Sequence, residues 1–222
     1  MVITIDGYAG TGKSTAAARL AQSLGFALLN TGAMYRAVGL LLARHDIDIY
    51  ADARDVGAIN LVVGVAWFDM IGDGILANGE DLTPFLRTEA LGKAASKVGT
   101  FPEVRARLKA EQRRLAEGRD IVCEGRDQGT AVFPEAPAKF FFTASADVRA
   151  ARREKELLAR NQPTPRAVIR DQILLRDYQD ENRSIDPLRP AVDAIAIDTS
   201  HLSEDDVHQR MLAAVERCRS RG

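Results

Sequence analysis

The feature that most limits what this chain can fold into is a glycine-rich stretch near its start, GYAGTGKST at residues 7–15. It follows the apolar run VITID and precedes AAARLAQSLG, which has the spacing of an amphipathic helix. Glycines allow backbone N–H groups to curl around an anion without a clashing Cβ, and a following helix adds its N-terminal partial positive charge. The stretch therefore predicts a phosphate-binding turn between a strand and a helix.

The spacing Gly7-x4-Gly12-Lys13-Ser14 is that of a P-loop. Lys13 would supply a mobile cation to the β and γ phosphates of a nucleoside triphosphate, and the Ser14 hydroxyl would be an oxygen ligand for Mg²⁺. The strand before the loop and the helix after it are the context that this motif requires. The residues predicted to contact the triphosphate are Gly7, Tyr8, Ala9, Gly10, Thr11, Gly12, Lys13, Ser14 and Thr15.

The rest of the chain alternates between two kinds of segment. Short apolar runs typical of strands, separated by longer stretches with helical spacing, lie at 2–6, 27–30, 120–124, 139–143 and 194–198. This alternation predicts a parallel sheet covered by helices. Between about 50 and 95 the pattern changes to short alternating runs with Gly and Asn-Gly turns, which predicts an inserted subdomain of antiparallel strands. Prolines in LLARNQPTPRAV, residues 157–168, separate two charged helices and predict the hinge of a lid.

Charge and apolar content exclude several classes of protein. The chain has 222 residues, with 30 Lys and Arg against 31 Asp and Glu, which argues against nucleic-acid or membrane partners held by bulk electrostatics. Its longest apolar runs are much shorter than the ~20 residues that span a bilayer. The N-terminus has no secretion pattern, and the two cysteines fit reduced thiols. We therefore expect a cytoplasmic monomer with small-molecule partners.

Arginines placed for a second phosphorylated ligand follow two of the predicted strands. NTGAMYR puts Thr31 and Arg36 around a turn into a helix, where an arginine can fork onto phosphate oxygens. EGRDQGT puts Arg126 and Asp127 at the carboxyl end of a central strand, where ligands of open α/β sheets bind. Arg126 is predicted to bind a phosphate, and Asp127 to accept a hydrogen bond from a base or sugar.

A third charged group lies on the predicted helix RAVIRDQILLRDYQDENR. Arg176, Asp180 and Arg183 are spaced four and three apart, so they would fall within roughly 60° of one another on the helix surface. Taken alone, such a triplet is more often a solvated face held by local ion pairs. Together with the arginines of the other segments, it favours a ligand site.

The segment TASADVRAARREK adds Arg149, Arg152 and Arg153 just before the proposed lid. Phosphoryl transfer needs two substrates in line, Mg²⁺ across the β and γ oxygens, and cations on the charge of the transition state. A lid with arginines supplies such cations and excludes water. A GTP switch is disfavoured because AKFFFTASADV contains no Asn-Lys-x-Asp stretch, and a remodelling ATPase because DIVCEGRD only partly matches an apolar run ending in adjacent acids.

Several motifs in order carry a family resemblance: IDGYAGTGKST, NTGAMYRAV, GEDLTPFLRTEALGKAASKVGTFPEVR, EGRDQGTAVFPEAPAKFFFTAS, RDYQDENR and PLRPAVDAIAIDTS. Through them essentially the whole chain resembles the bacterial cytidylate kinases, which are nucleoside monophosphate kinases. The resemblance implies transfer of the γ-phosphoryl of ATP to CMP or dCMP with Mg²⁺. It also implies an α/β fold with a five-stranded parallel core (about 1–50, 96–150 and 168–222), an acceptor-binding insertion (about 51–95) and a short lid (about 151–167).

The resemblance extends to individual residues. Those implied to be catalytic are Lys13, Arg126, Asp127, Arg152, Arg153 and Arg183. Those implied to hold the acceptor are Thr31, Arg36, Ser96, Arg105, Arg126, Asp127, Arg176, Asp180 and Arg183. The acceptor phosphate is assigned to Arg36, Arg126 and Arg183, and cytosine to Ser96, Arg105 and Asp180, with a ribose contact through Asp127 or Arg176. Ser96 and Arg105 come from the resemblance alone.

Some positions depart from the family pattern, and the alternatives stay open. Tyr8-Ala9 stands where Pro-Ser is frequent, Thr31 where Ser is usual, Glu124 where Asp is common, and Gln128 where an apolar residue is usual. None of these changes removes a group that the chemistry requires. The alternatives are a P-loop kinase for another small acceptor, such as UMP, AMP or shikimate, and a nucleotide-binding regulator without turnover. Arginines from three segments favour a phosphorylated acceptor over shikimate.

Overall fold

A computed structural model describes residues 1–72 and 74–220 of the protein. In chain order its strands are β1 (Val2–Gly7), β2 (Ala27–Asn30), β3 (Phe68–Ile71), β4 (Gly74–Ala77), β5 (Glu80–Asp81), β6 (Ile121–Glu124), β7 (Ala138–Thr143) and β8 (Ile195–Asp198). Its α-helices are α1 (Lys13–Leu24), α2 (Thr31–Arg44), α3 (Val56–Val65), α4 (Glu89–Val98), α5 (Pro102–Ala116), α6 (Ala146–Ala159), α7 (Arg166–Asn182) and α8 (Glu204–Arg219). Single turns of 3₁₀ and π helix occupy Thr83–Phe85 and Gln128–Val132.

Five of the strands form a parallel sheet in the order β2-β6-β1-β7-β8. They coincide within one or two residues with the five apolar runs of the sequence, so the predicted α/β architecture is confirmed. β1 and β6 are neighbours near the middle of this order although more than a hundred residues separate them in the chain. Their carboxyl ends therefore lie side by side, which is where ligands of open α/β sheets bind.

The chain forms two compact units, Met1–Phe26 with Val122–Gly222, and Ala27–Ile121. In the first unit β7 pairs in parallel with β1 on one side and β8 on the other, with Phe140 opposite both Ile5 and Ile195. Most side chains of β1 and β7 are buried, as expected for a parallel sheet covered by helices, and they include the polar Thr4, Asp6 and Lys139 beside the apolar residues. Helices α6 and α7 pack through Ala150, Leu157, Ile169 and Ile173.

The second unit contains the smaller sheet, in which β3, β4 and β5 are antiparallel neighbours. The turn between β4 and β5 is Asn78-Gly79, and both residues have positive φ angles of 52° and 83°, as a tight hairpin turn requires. Phe68 and Ile75 bury one face of the sheet. The predicted antiparallel strands between 50 and 95 are thus confirmed, while the assignment of 51–95 to an acceptor-binding insertion and of 151–167 to a lid stays a prediction.

Two further expectations concern the helices and the cysteines. Within the described ranges, no helix has both the length and the apolar composition that crossing a bilayer demands. Cys123 is buried and Cys218 is partly exposed, and both are free thiols, as the sequence predicts.

Candidate phosphoryl-transfer site

The predicted P-loop joins β1 to α1, and its backbone conformation explains the glycines. Gly7, Gly10 and Gly12 have φ angles of 139°, 76° and 88°. At Gly7 a Cβ would lie 2.1 Å from the carbonyl oxygen of Phe142, so no other residue fits. Gly12 is the N-cap of α1, and no side chain of the described residues caps this helix. The first N–H groups of α1 are thereby available to an anion.

Lys13 lies folded back onto the loop. Its Nζ donates a hydrogen bond to the Tyr8 carbonyl over 2.6 Å, and the Thr11 hydroxyl donates to the same oxygen over 2.9 Å. Lys13 is only 5% exposed. Burial, followed by repulsion from Arg126, lowers the pKa of the Lys13 ammonium well below its ordinary value. An anion bound at this position would attract the ammonium group and raise its pKa again, which offsets both the burial and the repulsion.

Asp6, the last side chain before the loop, fixes the turn that follows β6. Its carboxylate accepts hydrogen bonds from the backbone N–H groups of Gln128, over 2.8 Å, and Gly129, over 2.7 Å. The turn that begins at Gly125 is therefore fastened to the end of β1, and Arg126 and Asp127 lie in the fastened segment. Burial raises the pKa of Asp6 to about 7, although the two backbone hydrogen bonds act in the opposite direction.

Ser14 and Glu124 bring two hard oxygen ligands together. The Ser14 hydroxyl donates to Glu124 Oε1 over 2.7 Å, and Glu124 is buried at the carboxyl end of β6. Hydroxyl and carboxylate oxygens suit Mg²⁺, which takes its remaining ligands from water and substrate phosphates. No group of three or more metal-binding side chains occurs in the described part of the chain, so the fit depends on those phosphates. Glu124 was not among the site residues predicted from the sequence. Its position at the end of a predicted strand, beside the P-loop, is the feature that could have identified it.

Arg126 and Asp180 form an ion pair with a distance of 2.9 Å between Nε and Oδ2. Arg176, one turn earlier on α7, lies 4.0 Å from the same carboxylate oxygen. Burial would raise the pKa of Asp180, but the attraction of Arg126 and Arg176 holds it below its ordinary value. Asp127 is buried next to Arg126 in the chain. The structure thus brings Arg126 together with Arg176 and Asp180, which were predicted from a separate segment.

Arg183 does not lie on the helix with Arg176 and Asp180, so the predicted helical stripe is wrong at this residue. Helix α7 ends at Asn182, and Arg183 has extended backbone angles of φ −66° and ψ 142°. Its Nε donates to the Asp186 carbonyl over 2.6 Å, and the Leu188 N–H donates to the Asp180 carbonyl. The chain therefore folds back over the helix end, which local residue spacing does not encode. The guanidinium stays close enough to add to the lowered pKa of Asp180.

Arg149 and Arg152 both contact the P-loop backbone. Arg149 is buried, forms an ion pair with Asp177 over 2.7 Å, and donates to the carbonyl of Ala9 over 3.3 Å. Arg152 donates to the hydroxyl and carbonyl of Thr199 over 3.1 and 2.6 Å and lies 3.5 Å from the Gly10 carbonyl oxygen. Both arginines thus contact carbonyl oxygens of the P-loop.

Arg153 is held differently from the other two arginines of α6. It pairs with Glu156 of the same helix over 2.9 Å, and both side chains are exposed to solvent. An exposed pair of this kind is weak, so Arg153 is free to exchange this partner for a ligand at little cost.

The remaining predicted acceptor residues lie in the second unit. Thr31 opens α2 and is buried, and the guanidinium of Arg36 lies over the start of the same helix beside Gly32. Ser96 of α4 donates to the Gly92 carbonyl over 3.3 Å. Arg105 of α5 is 1% exposed, donates to the Gly99 carbonyl over 3.3 Å, and has its guanidinium carbon 6.0 Å from the centre of the Tyr35 ring. A fully buried arginine is unusual in a helix, and the hydrophobic periodicity of the sequence alone does not predict this burial.

Comparisons with known proteins agree with this arrangement. The family model described as cytidylate kinase matches residues 3–217. A cytidylate kinase of Acinetobacter baylyi is 44% identical over 98% of this chain and 97% of its own length. One from Stutzerimonas stutzeri is 43% identical over 96% of this chain and 94% of its own length.

A solved structure also shares the fold. It is that of an uncharacterized protein from Eubacterium ventriosum, which is 11% identical, covers 99% of both chains and has a TM-score of 0.50. At 11% identity this similarity is evidence for the fold alone. The family is established by the sequence match over nearly the whole length together with relatives above 40% identity. This chain belongs to the cytidylate kinase family.

Proposed function

We propose that the protein transfers the γ-phosphoryl group of ATP to CMP or dCMP and so forms ADP with CDP or dCDP. The family match supports the reaction. The observation that carries it is that one unit holds both a P-loop, with Lys13 on its backbone and Ser14 on Glu124, and the Arg126–Asp180 ion pair at the turn after β6. Such an arrangement has a place for a donor phosphate and for a second anion beside it.

The P-loop would bind ATP through the N–H groups that begin α1 and through Lys13. The negative charge of the β and γ phosphates would draw Lys13 Nζ from the Tyr8 carbonyl and raise the pKa of its ammonium back toward the ordinary value. Ser14 and Glu124 would hold Mg²⁺, which when bound neutralises charge on the β and γ oxygens. Arg152 and Arg153 would place further cations on the transferring group, as components of a lid at 151–167.

The acceptor nucleotide would be held by the residues that the sequence analysis assigned to it. We assign its phosphate to Arg36, Arg126 and Arg183. We assign cytosine to Ser96, Arg105 and Asp180, and the ribose to Asp127 or Arg176, with 51–95 as the insertion that serves this site. In binding a phosphate, Arg126 would use the second edge of its guanidinium while Nε stays on Asp180.

Transfer would be direct and in line. A monoester phosphate has a second pKa near 6, so at neutral pH its oxygen is already an anion and needs no general base. That oxygen would form the new bond to the γ-phosphorus while the bond to the β–γ bridging oxygen breaks and ADP leaves with the electron pair. The protein's contribution is alignment and charge stabilisation. No phosphorylated protein intermediate is formed.

The test is ADP formation from ATP and Mg²⁺ with CMP, dCMP, UMP, AMP, GMP or shikimate, and with no acceptor. We expect turnover with CMP and dCMP well above the others. A Lys13→Ala sample prepared in the same way controls for contaminating kinases. Preference for another acceptor would assign a different substrate, and ATP binding without acceptor-dependent turnover would indicate a regulatory protein.

A further inference from the structure

Tyr8, the second residue of the P-loop, connects this loop to helix α7 through its side chain. Its hydroxyl donates a hydrogen bond of 2.5 Å to Oε1 of Glu181, in the last turn of α7. Its ring meets the ring of Phe141 edge-on at 6.0 Å, and the Arg149 guanidinium carbon lies 5.3 Å from its centre. Arg149 in turn pairs with Asp177 of α7. The loop therefore contacts α7 directly through Tyr8 and indirectly through Arg149.

The same residue also determines where the loop holds its lysine. The Tyr8 carbonyl accepts from Lys13 Nζ and from the Thr11 hydroxyl, so two side chains of the P-loop are held on the backbone at Tyr8. Any displacement of Tyr8 would change the direction of the amides and of Lys13. A side chain anchored on another element therefore acts on the geometry of the phosphate site.

Helix α7 carries two adjacent charged rows. Asp177 and Glu181 are four residues apart and face the Tyr8–Arg149 pair. Arg176 and Asp180 are also four apart, lie one position earlier, and face Arg126. Because a helix turns by about 100° per residue, the two rows are neighbours on one rigid surface. Fixing the first row against the P-loop fixes the second row relative to the bound donor phosphates.

We propose that Tyr8 is a positioning residue, which couples the P-loop to α7 and so aligns the donor phosphates with Arg126, Arg176 and Asp180. The proposal rests on the proposed phosphoryl transfer. Tyr8 touches neither reacting group through its side chain, and its effect passes through α7. Loss of the coupling would leave ATP bound but allow the two rows of α7 to shift, which lowers the rate of an in-line reaction that depends on tenths of an ångström.

The experiment is a double-mutant cycle with Tyr8→Phe and Glu181→Ala, measured as kcat with CMP and as the dissociation constant of ATP. Tyr8→Phe removes the hydroxyl and keeps the ring on Arg149. Because the hydrogen bond is exposed to solvent, we expect each single change to lower kcat on the order of fivefold, with ATP affinity within about twofold. The double variant should be no slower than either single variant, since both remove one contact.

Two matched variants separate positioning from a general loss of structure. Tyr178→Phe removes an exposed phenol hydroxyl from the same helix and should leave kcat unchanged. Glu181→Gln keeps an oxygen that can accept from the Tyr8 hydroxyl and should restore most of the rate lost in Glu181→Ala. A structural role would instead move the unfolding midpoint and leave kcat of the folded enzyme intact.

The outcomes are distinct. Additive effects of the two changes, or an unchanged kcat in Tyr8→Phe, would overturn the positioning role while CMP turnover by the parent protein stands. A rise in the ATP dissociation constant that accounts for the whole loss would also overturn it, because Tyr8 would then act in donor binding. Absence of acceptor-dependent turnover in the parent protein would overturn the proposed function and the positioning role with it.

Discussion

Buried charges in the two units of the molecule are held in different ways. In the first unit, acidic and basic groups from distant segments meet each other, as Arg149 meets Asp177 and Arg126 meets Asp180. In the second unit, the buried Glu111 pairs with Arg107 and Arg114 of its own helix, and the fully buried Arg105 donates to the Gly99 carbonyl and lies near the Tyr35 ring. The ion pairs of the first unit join distant segments, and those of Glu111 stay within one helix.

This difference affects which ligands the charged groups can bind. A charge held by an opposite charge gives up that partner only for a stronger anion, so the first unit is suited to phosphates. A guanidinium carries N–H donors and no acceptor, which suits the carbonyl and ring nitrogen of a base. We therefore propose that the arginines of the first unit, with Arg36 of the second, bind phosphates and that Arg105 takes part in base recognition. Substitutions can test the phosphate assignment and the base assignment separately.

The largest expected effect is that of Lys13→Ala. Removing the cation from the β and γ phosphates should lower kcat on the order of a thousandfold, because its stabilisation is strongest in the transition state. The steady-state rate of ADP release at saturating CMP measures kcat. Lys93→Ala, which removes an exposed lysine paired with Glu89 of α4, should leave the rate unchanged. A loss of less than about tenfold in Lys13→Ala would contradict the assignment.

Arg126→Lys should have the next largest effect. A lysine keeps the positive charge but cannot stay on Asp180 and present a second edge to a phosphate, so we expect kcat/KM for CMP to fall on the order of a hundredfold. The ATP dissociation constant should change by no more than about twofold. Arg19→Lys, at an exposed pair with Asp205, is the matched control. Equal losses in donor and acceptor binding would break the separation of the two sites.

Arg105→Met should act on the choice of base. Methionine fills much of the same buried volume without N–H donors, so we expect kcat/KM for CMP to fall about tenfold and its advantage over UMP to shrink. Rates for both acceptors, with the urea midpoint of unfolding, give the measurement. A lower midpoint with an unchanged ratio of CMP to UMP would make Arg105 a structural residue and would remove the base-recognition half of the comparison.

The sequence predicts the P-loop better than it predicts contacts between distant segments, for a physical reason. P-loop residues act through their own backbone within one turn, so Gly7, Gly12 and Lys13 carry their geometry in their spacing. Arg126 and Asp180 are 54 residues apart, and only the sheet order and the packing of α7 bring them together. Arg105 sits in VRARLK, which looks like an exposed helix, and resemblance alone revealed it. Arg183 was misplaced because the chain turn after Asn182 depends on the contacts of 186 and 188.

The last prediction concerns stability and the buried Asp6. Its pKa is about 7 in the folded protein and 3.8 in its ordinary state, so the folded protein binds the extra proton between these values. Stability should therefore fall as pH rises from about 4 to 7, by up to about 1.4 kcal/mol per pH unit from this group. Asp6→Asn cannot ionise, so its urea unfolding free energies should decline less steeply over the same range. Asp171→Asn, at an exposed carboxylate, should follow the parent slope. Parallel curves for the parent and Asp6→Asn would mean that the N–H groups of Gln128 and Gly129 keep Asp6 ionised in the folded protein.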